Sequence, residues 1–111
     1  MDVDNVRVIK GRSFCQLPLS SEKTTVDTPH LDGHEDHFVM LYYVCDSDGD
    51  TIIYNEREKS ESYTIKKKVT PKQGRVVLFD GRLYHTAEQP NHDKRCIVNY
   101  DLVDLSVDPH I

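Results

Sequence analysis

The sequence has no long apolar run. Its longest, 38–45, is eight residues, far short of the ~18–20 needed to cross a bilayer as a helix. The opening Met1-Asp2-Val3-Asp4 has neither a basic n-region nor an apolar h-region, which argues against secretion. Cysteine is sparse: Cys15, Cys45 and Cys96 show no CxxC spacing and their number is odd. That pattern supplies neither a disulfide framework nor a Cys-rich zinc site, and it predicts reduced thiols in a cytoplasmic compartment. Positive charge is not in excess, since 14 Lys and Arg against 19 Asp and Glu leave a net charge of −5 with no basic tail. A general binder of nucleic-acid backbones is therefore disfavoured. No repeat, low-complexity tract or Pro/Ser-rich linker divides the 111 residues, so one domain over 1–111 is expected. Hydrophobic residues make up only 37%, enough for one modest core.

What is present reads as β. Strands are expected over 6–9, 24–32, 38–44, 51–55, 63–69, 75–79, 83–87 and 95–103, with Lys10-Gly11 ending the first. The dense turn signal Asp46-Ser47-Asp48-Gly49-Asp50 predicts a hairpin joining 38–44 to 51–55. Further turns fall at Pro71-Lys72-Gln73-Gly74 and Asp80-Gly81, while Lys66 and Lys68 suit an edge strand. The stretch 56–62 is charged enough for a mobile loop or a short helical turn. About eight short strands without an amphipathic helix predict an all-β sandwich, jelly roll or small barrel.

Chemistry concentrates in the histidines. Side chains at i and i+2 of an extended segment share a face, so His30 and Asp32 offer an imidazole and a carboxylate to one point. A third ligand must come from another strand, and His85 is the candidate. Two imidazoles and one carboxylate on one face of an octahedral metal leave three open positions, the facial triad of non-haem Fe(II) and oxygen chemistry. His34-Glu35-Asp36 is a rival pair but falls in polar, loop-like sequence, and His34 and His37 read as loop residues. Ten residues beyond His85, Arg95 opens a strand beside Ile97. A guanidinium turned inward is costly unless a carboxylate meets it, and its planar fork suits the remote end of a dicarboxylate.

These residues resemble the Fe(II)- and 2-oxoglutarate-dependent oxygenases, in particular their prolyl-4-hydroxylase-like branch. The resemblance rests on His30-Leu31-Asp32, on Leu41-Tyr42-Tyr43-Val44 with the turn Asp48-Gly49-Asp50-Thr51, on the run Pro71 to Phe79, on His85 and on Arg95. It covers roughly residues 26–102 and implies the double-stranded β-helix fold, a jelly-roll, cupin-like architecture with few or no helices. It further implies Fe(II) held by His30, Asp32 and His85, with O2 as co-reactant and ascorbate as a candidate auxiliary. Arg95 would pair with the far carboxylate of 2-oxoglutarate, and Tyr43 matches a position whose hydroxyl reaches the same group. Tyr42 would point the other way, and Thr51 and Ile97 would line the pocket. The implied reaction is oxidative decarboxylation of 2-oxoglutarate to succinate and CO2, coupled to hydroxylation of a prolyl or other protein side chain or of a small molecule. No acid–base residue beyond the metal ligands is required.

The family's usual Gly-Gly turn is Gly49-Asp50 here, where one glycine still permits a positive-φ turn. Only 29 residues precede His30, so the region that buttresses the sheet in relatives is expected to be short or truncated. In the last strand Arg95, Ile97 and Asn99 share one face, while Cys96, Val98, Tyr100 and Leu102 share an apolar face that needs cover. Homodimerisation through that face is one expectation. Two alternatives from other classes are a cupin-like metal protein and a non-catalytic β-sandwich binding module.

Overall fold

The computed structural model describes residues 5–18, 26–31 and 36–104. Among the described residues seven strands form: β1 (Val6–Gln16), β2 (Phe38–Tyr43), β3 (Thr51–Tyr54), β4 (Ile65–Val69), β5 (Val76–Asp80), β6 (His85–Ala87) and β7 (Arg95–Asp104). They pair antiparallel in two sheets, one ordered β1-β7-β2-β5 and the other β4-β3-β6. The segment 26–30 runs beside β6 through isolated bridges at Val26–Glu88 and His30–His85 and fills the eighth strand position. Successive segments switch between the sheets everywhere except β3 to β4. This is the double-stranded β-helix, without an α-helix among the described residues. No helix among them is long and apolar enough to cross a membrane.

The alternation of side chains decides what is buried. In β2, Val39, Leu41 and Tyr43 point inward, where they meet Ile53, Val69, Phe79, Leu83 and Ile97 from the other strands. In β7, Arg95, Ile97, Asn99 and Asp101 are buried and alternate with half-buried Cys96, Val98 and Tyr100. The outer face of the four-stranded sheet is apolar, with Val76 53% and Leu78 51% exposed beside Tyr42, and Val8 exposed on the opposite edge strand. Strand β4 lies at a sheet edge as its lysines predict, since unpaired backbone there is protected by charge.

Several local expectations are corrected. Strands β2 and β3 do not form a hairpin, because β2 pairs with β5 and β7 while β3 pairs with β4 and β6. The Asp48 carboxylate, read as part of a hairpin turn, accepts the backbone N–H groups of Asn91, His92 and Asp93 at 3.0–3.1 Å and ties two loops together. The first strand does not stop at Lys10-Gly11. It runs to Gln16, with a register shift between Val8 and Lys10 that interrupts the hydrophobic alternation, as a bulge does. Gly11 sits opposite Tyr100 in the ladder, and a Cβ there would lie 3.3 Å from the tyrosine ring, so the missing side chain makes room for the aromatic. The stretch 56–62 holds no helix. Its base is tied by the Glu56 carboxylate, which accepts from the Thr64 N–H and hydroxyl, and by Tyr63 against Tyr54 and Tyr84. His37 lies outside any strand, as its reading as a loop residue expects, and is buried against Gly81. His34 and the ends of the expected second strand, Thr24, Thr25 and Asp32, lie outside the described residues.

Candidate active site

Pairing between 26–30 and β6 creates the centre of the site. His30 and His85 exchange both backbone hydrogen bonds, at 3.0 and 3.1 Å. Directly opposed residues in such a pair project to the same side, and the two imidazole centroids lie 4.6 Å apart. The buried His85 ring is oriented on two sides. Its Nδ1 stands 2.9 Å from the Leu83 carbonyl, and Phe79 meets it edge-on at 5.0 Å. A carbonyl can only accept, so Nδ1 carries the proton in the neutral ring and the lone pair sits on Nε2. That is the arrangement in which a second partner readies an imidazole for a metal. His30 is more exposed, with Nδ1 3.4 Å from the Thr28 carbonyl. Among the described residues no three His, Cys, Asp or Glu side chains gather as a metal site. Asp32, which the sequence singles out as the third ligand, lies outside them.

Both imidazoles line a pocket of about 440 Å³, within the usual range for small-ligand sites. Arg95 lines the same pocket and is only 3% exposed. Its Nε donates to the Gly49 carbonyl at 3.0 Å, Nη1 to Gln16 Oε1 at 3.2 Å, and Nη2 to Thr51 Oγ1 at 2.7 Å. All three acceptors are neutral, and no carboxylate ion-pairs with Arg95 among the described residues. Burial pulls its guanidinium below the ordinary value, while Tyr43, Asp27 and Asp50 act against that at longer range. A buried cation held by neutral groups is set for an incoming anion.

Tyr43 stands one layer back. It is fully buried, is not a lining residue, and donates its hydroxyl proton to Thr51 Oγ1 at 2.7 Å. Burial raises its pKa, against the lowering effect of the Thr51 hydrogen bond and the Arg95 charge. Thr51 thus accepts from both Tyr43 and Arg95, and its own proton remains for a third partner. Ile97 and Thr51 both line the pocket. Gly49 lacks the positive φ anticipated for it, which among the described residues belongs to Gly74 alone. Its requirement is space, because a Cβ there would fall 2.6 Å from the Glu88 carbonyl oxygen and 3.2 Å from Arg95 Cδ.

Sequence reasoning missed the contribution of β1. Lys10, Arg12, Phe14 and Gln16 all line the pocket, at the two-residue spacing of one strand face. The Arg12 guanidinium lies 5.4 Å from the centre of the Phe14 ring, a cation–π distance. Their alternation was the available signal, hidden by ending the strand at Lys10-Gly11. With Arg95 they set three cations against one lining carboxylate, Asp27, among the described residues, in a chain of net charge −5.

No protein-family model matches the sequence, and no curated protein is similar to it at a significant level. Among solved structures, the fold is similar to the crystal structure of an oxidoreductase of the 2OG-Fe(II) oxygenase family from Burkholderia pseudomallei. The TM-score is 0.66 at 12% sequence identity, over 89% of this chain and 44% of that one. The chain thus spans less than half the length of that protein, and the likeness shows the shared fold.

Proposed function

We propose that the chain is an Fe(II)- and 2-oxoglutarate-dependent dioxygenase that hydroxylates a substrate while 2-oxoglutarate is converted to succinate and CO2. One observation carries this reading: paired imidazoles and a buried guanidinium without a carboxylate partner among the described residues line a single small pocket. His30 and His85 would hold the metal, joined by Asp32 from the His30-Leu31-Asp32 motif. The two imidazoles suit a first-row divalent ion, and the His85 hydrogen bond to Leu83 already fixes the nitrogen that would face it. Iron supplies the activation of oxygen when bound, and the chain's own residues bind and orient.

Arg95 directs its fork at the far carboxylate of the cosubstrate. Thr51 holds that fork and offers its remaining proton to the same carboxylate, while Tyr43 holds Thr51. Lys10 and Arg12 add positive potential that favours a doubly negative ligand. Leu41 and Ile97 give the pocket an apolar wall that limits water. The resemblance to the prolyl-4-hydroxylase-like branch makes a prolyl or other protein side chain the first substrate class to test, ahead of small molecules.

The test is succinate release from 2-oxoglutarate in air with Fe(II), preceded by anaerobic titration for the visible charge-transfer band of an iron–2-oxoglutarate complex. Wild type should give a band that needs both components and slow succinate release even without substrate. His85→Ala should lose both, and Arg95→Ala should require far more 2-oxoglutarate. Folded wild-type protein that gives neither band nor succinate overturns the proposal.

A further inference from the structure

The three cysteines are far apart in sequence, yet the fold brings them together. Cys15 of β1 stands directly opposite Cys96 of β7 in the antiparallel ladder. On the other side of Cys96, the Val44 N–H donates to the Cys96 carbonyl at 3.0 Å, and the Cys45 thiol is also a hydrogen-bonding neighbour of the Cys96 thiol. Cys15 is exposed, and Cys45 and Cys96 are half-buried, all as free thiols. The Cys96 thiol is pushed up to about 11, first by its hydrogen bond with Cys15, then by burial and by Cys45. Cys45 Sγ also reaches the Lys94 carbonyl at 3.6 Å.

We propose that Cys15 and Cys96 form an oxidative modification site, converted by a hydroperoxide into an intramolecular disulfide across β1 and β7. Residues directly opposed in an antiparallel pair have Cα atoms about 4.5 or 5.5 Å apart, and a disulfide spans about 4.4–6.8 Å. The ladder therefore sets the two Cα atoms within the span of a disulfide. Exposed Cys15 is the sulfur a peroxide reaches first. Its thiolate attacks the O–O bond, an S–O bond forms, and the peroxide leaves as its alcohol, or as water from hydrogen peroxide. The Cys96 sulfur then attacks the Cys15 sulfenic acid, the S–S bond forms, and the oxygen leaves as water. Two thiols give up two protons and two electrons, and the O–O bond takes both electrons.

The position gives the bond a consequence. Gln16 and Arg95 are the chain neighbours of Cys15 and Cys96, paired with each other on the opposite face, and Gln16 accepts from Arg95 at 3.2 Å. A disulfide fastens the edge strand β1 to β7 beside the pocket's buried cation. The site does not depend on the pocket being a 2-oxoglutarate site.

The test treats the full reduced chain with equimolar hydrogen peroxide and maps linked peptides by mass spectrometry. Wild type and Cys45→Ser should each lose two hydrogens, join the Cys15 and Cys96 peptides, and regain both thiols with dithiothreitol. Melting temperature should rise by roughly 10 °C or more on oxidation, because the closed loop is long. Cys15→Ser should fold like wild type in the reduced state but gain no such rise. A Cys45–Cys96 bond in the wild type, a link between two chains, or oxidation that stops at single sulfurs overturns the proposal.

Discussion

Replacing Arg95 with methionine tests the site most directly, because the substitution keeps an unbranched side chain and removes only the charged fork. Three hydrogen bonds from an ionised donor contribute on the order of 1.5–3 kcal/mol each. Burying an ion with no opposite charge costs several kcal/mol. The two effects nearly offset, so the ligand-free variant should change in stability by no more than about 2 kcal/mol either way, a shift within roughly 16 °C. The decisive quantity is the response to ligand. With Mn(II) in place of Fe(II) to prevent turnover, 2-oxoglutarate at 100 times its Kd should stabilise wild type by about 2.7 kcal/mol, or roughly 11–22 °C in melting temperature. Arg95→Met should lose most of that shift. Arg95→Lys should keep part of it, having the charge without the fork. Thermal melts by circular dichroism, with and without 2-oxoglutarate, read the difference. A full ligand shift in Arg95→Met would refute the assignment of Arg95 as the anion's anchor.

Thr51→Val removes one oxygen that serves both Tyr43 and Arg95, leaving two buried donors without it. A loss of about 2–4 kcal/mol follows, measured by urea unfolding, and Thr51→Ser should recover most of it. Gly49→Ala and Gly74→Ala separate space from conformation. The Gly49 Cβ would press on backbone at 2.6 Å and should cost about 1–3 kcal/mol while weakening ligand binding. At Gly74, φ is 82° with nothing within 4 Å, so alanine should cost only about 1 kcal/mol and leave binding unchanged. In exposed Asp48, slight desolvation alone would raise the carboxyl, but the N–H groups of Asp93, Asn91 and His92 outweigh it and hold the pKa below the ordinary range. A depressed folded value gives stability that is present above the unfolded pKa, near ~3.9, and lost as pH falls through the folded value. Melting temperature should therefore decline below about pH 4, and less steeply in Asp48→Asn.

Much of the architecture can be read in local patterns, because each depends on neighbours in the chain. The run Phe38-Val39-Met40-Leu41-Tyr42-Tyr43 alternates between core and surface, and so does β7 from Arg95. Lysines mark the edge strand β4. The signal Pro71-Lys72-Gln73-Gly74 forms a turn over Lys72-Gln73-Gly74-Arg75, with Gly74 in the left-handed region and the Arg75 N–H donating to the Lys72 carbonyl at 2.9 Å, the type II form. Where a local signal serves a distant partner, the reading goes astray. Asp48-Gly49 looks like a hairpin turn, yet its carboxylate caps 91–93 and its glycine clears a path for Arg95. Lys10-Gly11 looks like a strand end, yet it is a bulged strand whose glycine accommodates Tyr100.

By itself, then, the sequence determined an all-β chain, the inward face of its last strand and the residue types of a candidate site: His30, Asp32, His85 and Arg95. Tertiary structure decided that His30 lies across from His85, that Tyr43 reaches Arg95 only through Thr51, and that β1 adds Lys10 and Arg12 to the pocket. It also joined Cys15, Cys45 and Cys96, whose spacing gave no hint of contact. The reason is geometric: alternation sets which way a side chain points, whereas sheet membership and register arise from pairing between segments tens of residues apart.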